Sequence, residues 1–397
     1  MRNKCVAAER LAYYGPRARM SKLMLITARL TDPPVGGRAL LSRLHHDCLK
    51  DILGDRLVVH ALDRGPPADG LEAIRALGGH IDGLSPDVEE AVVDRVRTED
   101  VRRVYLDGSN LGRLARAIKR ALPAVEVLTF FHNVEARFYL GALRERFTPR
   151  TFGVLFANFY AERLAVRWSD RLIVLNRRDG DGLLRLYGRA ATDLLPMAME
   201  DRMRPVAQAG GGGPEPYLLF VGGDFYANRA GILWFAREVA PQLHLDTWVI
   251  GRGMEACRGA LESHANVRVV GGVDWLDDWY RGAKAVIAPI FDGSGMKTKV
   301  AEAMMFGKRV VGTSEAFCGY EEVASQVGWI CDTREEFITT LRDVEGTPLP
   351  PFDPALRAVY ERLYSREATT VRLADILSRS DRSDVSALDR RSPGALS

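Results

Sequence analysis

The chain has 397 residues, 47% of them hydrophobic, and its 55 basic and 52 acidic side chains leave a net charge of +3. That length suits two domains, each with its own core, and so even a charge balance argues against a nucleic-acid partner bound by bulk electrostatics, which needs a concentrated basic face. The five cysteines (Cys5, Cys48, Cys257, Cys318, Cys331) are odd in number and scattered, which fits neither a disulfide framework nor a metal site and points to a reducing, cytoplasmic compartment.

Residues 1–21 are polar and irregular, with Met20 just ahead of the first apolar run; they are expected to form a disordered extension or a misassigned start. No apolar run approaches the roughly 20 residues of a membrane span. From Lys22 onward, short β-branched or aliphatic runs alternate with segments of helical period, the pattern of parallel sheets covered by helices. The first-half strands are expected at 22–27, 56–62, 101–107, 125–132 and 170–176, with a helix over 110–123 whose Leu111, Leu114, Ala115, Ile118 and Leu122 recur at intervals of three and four. Together these define a first domain over 22–198.

Periodicity stops over 199–216, where four consecutive glycines lack the Lys-Ser or Lys-Thr of a phosphate loop and read as a linker. The alternation restarts in a second domain over 217–350. Its strands are expected at 217–223, 246–253, 266–273, 283–290 and 308–313, with a helix over 228–243. A terminal helix, bent near Ser365, should occupy 355–379 within a segment 351–379 that returns to the first domain, and 380–397 should be a disordered tail. The fold class is therefore α/β, with two Rossmann-like, doubly wound parallel-sheet domains facing a cleft and ligands beyond the carboxyl ends of the strands.

Several stretches carry chemistry. In "GSGMKTKVAEAMMFG", Gly293, Ser294 and Gly295 let a ligand approach the backbone, and Lys297 and Lys299 lie where a helix begins. Lysines there oppose the helix dipole unless an anion is near. Met296, Val300, Ala303 and Met304 share the sheet-facing side, leaving Lys299 and Glu302 together on a flank. A diphosphate under the lysines with hydroxyls at Glu302 is one reading; a solvated helix whose Lys299 and Glu302 merely pair is the other. "FVGGDFYANRAG" places Gly222 and Gly223 between a strand and a helix, with Arg229 adding charge, and serves either a phosphate or a plain turn. "TFFHNVE" sets His132 at a strand end, and "TDPPVGGRA" carries Gly36 and Gly37 after the first strand. "YLDGSNLG" offers Asp107 and Asn110 to a ligand, while Asp107 also suits a cap for the helix after it. No metal-ligand cluster or nucleophile elbow is present in the sequence, so no metal site and no cofactor are expected.

Taken together, "GSGMKTKVAEAMMFGKRVVGT", "HNVE", "SDRLIVLN" and "FVGGDFYANRAGILWF" resemble, in matching order, the donor-binding and flanking segments of the group 1 glycosyltransferases. That large retaining family has the GT-B fold. The resemblance spans roughly residues 22–340. It implies transfer from a nucleotide-diphosphate sugar to a glycan, lipid-linked or small-molecule acceptor, with retention of configuration and no bound metal, in polysaccharide or glycoconjugate biosynthesis. Lys297 and Lys299 would face the diphosphate, Glu302 the ribose and His132 the donor sugar, with Gly36, Gly37, Gly222 and Gly223 bordering the phosphates. Many relatives have a glutamate where this chain has Ser294, which puts the identity of the sugar in doubt. A nucleotide-sugar epimerase and a non-catalytic nucleotide-sugar or partner-binding module of the same architecture are the alternatives. Arginines over 95–103 and 113–120 would suit peripheral contact with the inner face of an anionic membrane, and solvated helix faces explain them equally.

Overall fold

The computed structural model describes residues 21–32, 34, 36–63, 75–145, 148–204 and 216–389. The proposed extension up to residue 20, most of the linker (205–215) and the tail from 390 lie outside the described residues. The chain forms two compact units, one of Met1–Pro196 with Arg366–Ser397 and a second of Met197–Ser365.

In the first unit, β1 (Leu23–Ala28), α1 (Gly37–Leu53), β2 (Leu57–Leu62), α2 (Pro86–Thr98), β3 (Arg103–Asp107) and α3 (Gly112–Ala121) follow one another. Then come β4 (Glu126–Phe131), α4 (Glu135–Glu145), α5 (Pro149–Trp168), β5 (Arg171–Val174), α6 (Arg177–Tyr187) and β6 (Asp193–Leu194). The six strands form one sheet in the order β2-β1-β3-β4-β5-β6, parallel throughout. Helix starts follow the local chemistry. Ser85 accepts from the Val88 amide ahead of Pro86 in α2, and Thr148 with Thr151 makes a capping box ahead of Pro149 in α5. The predicted stripe Leu111, Leu114, Ala115 and Ile118 is buried in the core. A Cβ on Gly112 would fall 1.9 Å from the Ala161 carbonyl oxygen, so the missing side chain is what lets α3 and α5 meet backbone to backbone.

The second unit runs β7 (Tyr217–Val221), α7 (Tyr226–Glu238), β8 (Thr247–Ile250), β9 (Val267–Gly271), α8 (Asp277–Gly282), β10 (Ala283–Ala288) and α9 (Thr298–Met305). It continues with β11 (Val310–Gly312), β12 (Gly328–Ile330), α10 (Arg334–Gly346) and α11 (Pro354–Leu363). Its parallel sheet has the order β12-β11-β10-β7-β8-β9, which in unit-local numbering is the Rossmann order. Helix α7 stops at Glu238, short of the predicted residue 243, because Pro241 cannot continue it and only a 3-10 turn follows over Ala240–Gln242.

The terminal helix breaks at Tyr364 and Ser365, as the sequence suggests, and α12 (Arg366–Asp389) belongs to the first unit. There Asp51 pairs with Arg366, and the Ile376 carbonyl accepts from Arg171. One expectation is corrected: residues 380–389 are helical, not a disordered tail. The sequence has no proline or glycine between Arg366 and Ser392, so nothing in the chain terminates the helix where its polar residues begin.

Candidate active site

In each sheet the chain order reverses once, and the loops on either side of that reversal diverge to leave a crevice at the carboxyl ends of the strands. In the second unit the reversal lies between β7 and β10. It therefore sets the Gly222–Gly223 turn beside the loop that leads into α9. A Cβ on Gly231 would fall 1.7 Å from the Pro289 carbonyl oxygen, so α7 rests directly on the start of that loop.

Asn228 ties the two segments together. Its Nδ2 donates to the Gly223 carbonyl at 3.0 Å, and its Oδ1 accepts from Lys299 Nζ at 2.9 Å. Lys299 is only 5% exposed, and its ammonium lies 4.2 Å from the centroid of the Phe220 ring. Burial, reinforced by the charge of Lys297 and opposed by Glu302, pushes its pKa down to about 7. Glu302 is 7% exposed and accepts from the Tyr280 hydroxyl at 2.9 Å, and burial raises its carboxyl above the usual range. The solvated-helix reading is thus overturned: Lys299 and Glu302 are buried, and each bonds to a different element. Met296, Val300, Ala303 and Met304 are buried as their spacing predicts.

Lys297 occupies the N-cap position of α9. Its Nζ donates to the Gly295 carbonyl at 3.0 Å and pairs with Glu315 at 2.8 Å, while its own carbonyl accepts from the Tyr320 hydroxyl. Gly293 and Ser294 lie in the same turn, where a Cβ on Gly293 would come 3.5 Å from Lys297 Nζ. Arg229 is paired with Asp224, so much of the charge expected of it is already offset. Asn228, Glu315 and Tyr280 are the residues that sequence reading missed. Asn228 alone carried a signal, lying between the glycine pair and Arg229.

In the first unit the reversal lies between β1 and β3. The loop after β1 carries Gly36 and Gly37, which open α1 without a side-chain cap. Beside them Arg38 reaches Asn110 at 3.4 Å and Asp82 at 3.3 Å. His132 follows β4, and its Nε2 bonds Asp107 Oδ1 at 2.8 Å. Asp107 is therefore not the helix cap it resembles. It is the last residue of β3, buried, and also accepts from Thr27 at 2.6 Å. Burial pushes its carboxyl up, but the charge of His132 and hydrogen bonds from His132, Ser42 and Thr27 outweigh burial and hold it well below the usual range. Asp107 thus orients the His132 ring through its bond to Nε2. Just beyond, Glu162 of α5 accepts from the Glu135 and Ala136 amides at 3.0 and 3.2 Å and so caps α4. Burial, with Glu162 and Asp82 nearby and Arg38 opposing, pushes Glu135 itself up to about 7.

Two parallel, doubly wound units, each with polar and basic groups gathered at its chain reversal, make up the GT-B fold. Solved structures agree on the fold. Sucrose-phosphate synthase from Thermosynechococcus elongatus superposes with a TM-score of 0.64 at 15% identity, over 94% of this chain and 100% of that one. Anabaena HepE in complex with UDP gives 0.60 at 14% identity, over 90% and 100%. The α,α-trehalose 6-phosphate synthase from Burkholderia multivorans gives 0.61 at 12%, over 95% and 100%. No curated protein sequence matches the chain. The family model "Glycosyl transferases group 1" matches residues 215–344, within the second unit.

Proposed function

We propose that the chain transfers a sugar from a nucleotide-diphosphate sugar to an acceptor hydroxyl with retention of configuration, in polysaccharide or glycoconjugate biosynthesis in the cytoplasm. The observation that carries this reading is the buried Lys299 beside Lys297 at the start of α9. A buried ammonium held at a helix N-terminus by one neutral amide is costly by itself, and a diphosphate supplies the missing charge. HepE, of the same fold, was crystallised with UDP and with UDP-glucose, which supports a nucleotide donor.

In this mechanism the bond between the anomeric carbon and the diphosphate oxygen breaks, and its electron pair leaves with the phosphate. Lys297, Lys299 and the first amides of α9 stabilise that growing charge. The anomeric carbon becomes oxocarbenium-like and is captured by the acceptor oxygen, whose proton passes to the departing diphosphate oxygen. Glu302 accepts from the ribose hydroxyls, and Gly222, Gly223 and the 293–295 turn admit the phosphates. His132, oriented by Asp107, acts on the donor sugar. No metal or other cofactor takes part in the step.

The test combines a panel of nucleotide sugars in thermal unfolding with assays of acceptor-dependent release of nucleoside diphosphate. A ligand at 100 times its dissociation constant adds about 2.7 kcal/mol to stability. Lys297→Ala should lower turnover about tenfold or more. Unchanged kinetics would remove that lysine's role, and acceptor-independent conversion of the nucleotide sugar would replace transfer with epimerisation.

A further inference from the structure

Helix α5 is built back to front for a soluble surface. One side is made of small and aliphatic residues, Ala157, Ala161, Leu164 and Ala165, all buried, and the approach of Gly112 seals that side against α3. At about 100° per residue, Phe152, Phe156, Phe159, Arg163 and Arg167 fall on the opposite side within an arc of roughly 80°. Phe152 is 52% exposed and Phe156 46%. Farther along, Phe159, Arg163 and Arg167 line a cavity of about 610 Å³ closed on its far side by Leu186 and Tyr187 of α6.

The charge on this face has one sign. Arg163 and Arg167 are one turn apart, a like-charge spacing that is unfavourable in an isolated helix, yet neither has a carboxylate partner among the described residues. The only acid of α5, Glu162, is buried and engaged by Tyr187 and the amides of α4. The third arginine at the cavity, Arg189, is already used up by the Val166, Ser169 and Asp170 carbonyls. By contrast, most basic residues of 95–103 and 113–120, which the sequence offered to a membrane, are neutralised in place. Arg95 pairs with Glu99, Arg97 with Asp94, Arg102 with Asp100, Arg103 with Glu126, Arg113 with Glu89 and Lys119 with Asp170.

Exposed phenyl rings continuing into guanidinium groups with no carboxylate partner along one side of a helix match the interfacial zone of an anionic bilayer, where rings enter the acyl boundary and arginines meet phosphates. Among the described residues no helix is long and apolar enough to cross a membrane, so the contact is one that lies on the surface. We propose that the Phe152–Arg167 face of α5 docks the first unit on an anionic lipid bilayer, with headgroup phosphates held by Arg163 and Arg167. The proposal stands apart from the assignment of the sugar donor.

The test is co-sedimentation of the full chain with vesicles of phosphatidylcholine alone or with 30 mol% phosphatidylglycerol. Binding should require the anionic lipid and weaken about tenfold or more in 0.5 M salt. Arg163→Glu with Arg167→Glu, and separately Phe152→Ser with Phe156→Ser, should each lower the partition coefficient about tenfold or more. Arg97→Glu with Arg102→Glu makes the same change in net charge on exposed but paired arginines and should stay within about twofold. Thermal unfolding reports whether each variant is folded. Phe156→Trp gives a readout independent of the serine variants: its emission should shift to the blue on anionic vesicles and be quenched by brominated lipid. Absence of wild-type binding, equal losses in the test and control arginine pairs, or an unshifted tryptophan would overturn the proposal. So would a wild-type dimer that Phe152→Ser with Phe156→Ser disperses while vesicle binding persists, since the face would then belong to a second copy.

Discussion

If Lys299 faces a diphosphate, binding must hand it a proton. Its pKa in the unliganded protein is about 7 against an ordinary 10.5, and only the charged form attracts the ligand. Affinity should therefore change little just below pH 7 and fall close to tenfold per pH unit above it, until the restored pKa of the complex is reached. Between pH 7 and 9 the charged fraction of unliganded protein drops from about one half to about one hundredth, so the dissociation constant should rise about fiftyfold, or ~2.3 kcal/mol. The terminal phosphate, with an ionisation near ~6, is fully charged across this interval and adds no slope of its own. Isothermal titration with a nucleoside diphosphate, in buffers of different ionisation enthalpy, should show uptake approaching one proton per complex at the upper end. Lys299→Arg, which does not titrate here, should flatten both curves. A wild-type dissociation constant steady within about threefold from pH 7 to 9, with no buffer-dependent heat, would refute the assignment.

Three further outcomes can be checked. Gly231→Ala forces a Cβ toward the Pro289 carbonyl and should cost about 1–3 kcal/mol in urea unfolding while weakening nucleotide binding; Gly259→Ala, whose Cβ meets nothing within 4 Å, is the neutral control. Asp107→Asn removes the charge that orients His132 and should lower turnover about tenfold or more while the dissociation constant for nucleoside diphosphate holds; equal losses in both would mark Asp107 as merely structural. His45 is buried and its pKa pushed down to about 3, chiefly by burial, whereas the unfolded chain takes up that proton near 6.5. The unfolded state thus binds more protons between these values, so stability present above pH 6.5 should be lost on acidification at up to ~1.4 kcal/mol per pH unit. Calorimetry of the wild type and His45→Gln, the latter with a shallower slope, measures it.

The parallel sheets were legible because buried strands are written as short β-branched runs. Strands β6 and β12, of two and three residues, were not, since so few positions hold no period. The site was legible as a set of segments but not as a set of bonds. Asp107 lies just ahead of a glycine and a helix and looks like a cap; its true partner is 25 positions away. That partnership comes from sheet register, which sets Asp107 opposite Phe130 and so carries His132, two residues on, to the same edge. Asn228 and Lys299, 71 positions apart, meet because β7 and β10 are neighbours across the chain reversal. Burial was the other hidden quantity. Spacing gives Lys299 and Glu302 a common flank, but only Phe220 and Tyr280, supplied by distant elements, decide that the flank is dry.

The placement of α12 bears on how the chain is made. The first unit is opened by residues that leave the ribosome early but closed by a helix from Arg366 onward, after the whole second unit. At about 5–20 residues per second, synthesis of Met197–Ser365 separates the two pieces by roughly ten to thirty seconds. Through that interval Cys48 and Asp51 of α1 lack the Arg366 contacts they make in the finished chain, and the surface they will share with α12 stands open to solvent and chaperones. The second unit, continuous in sequence, can finish first.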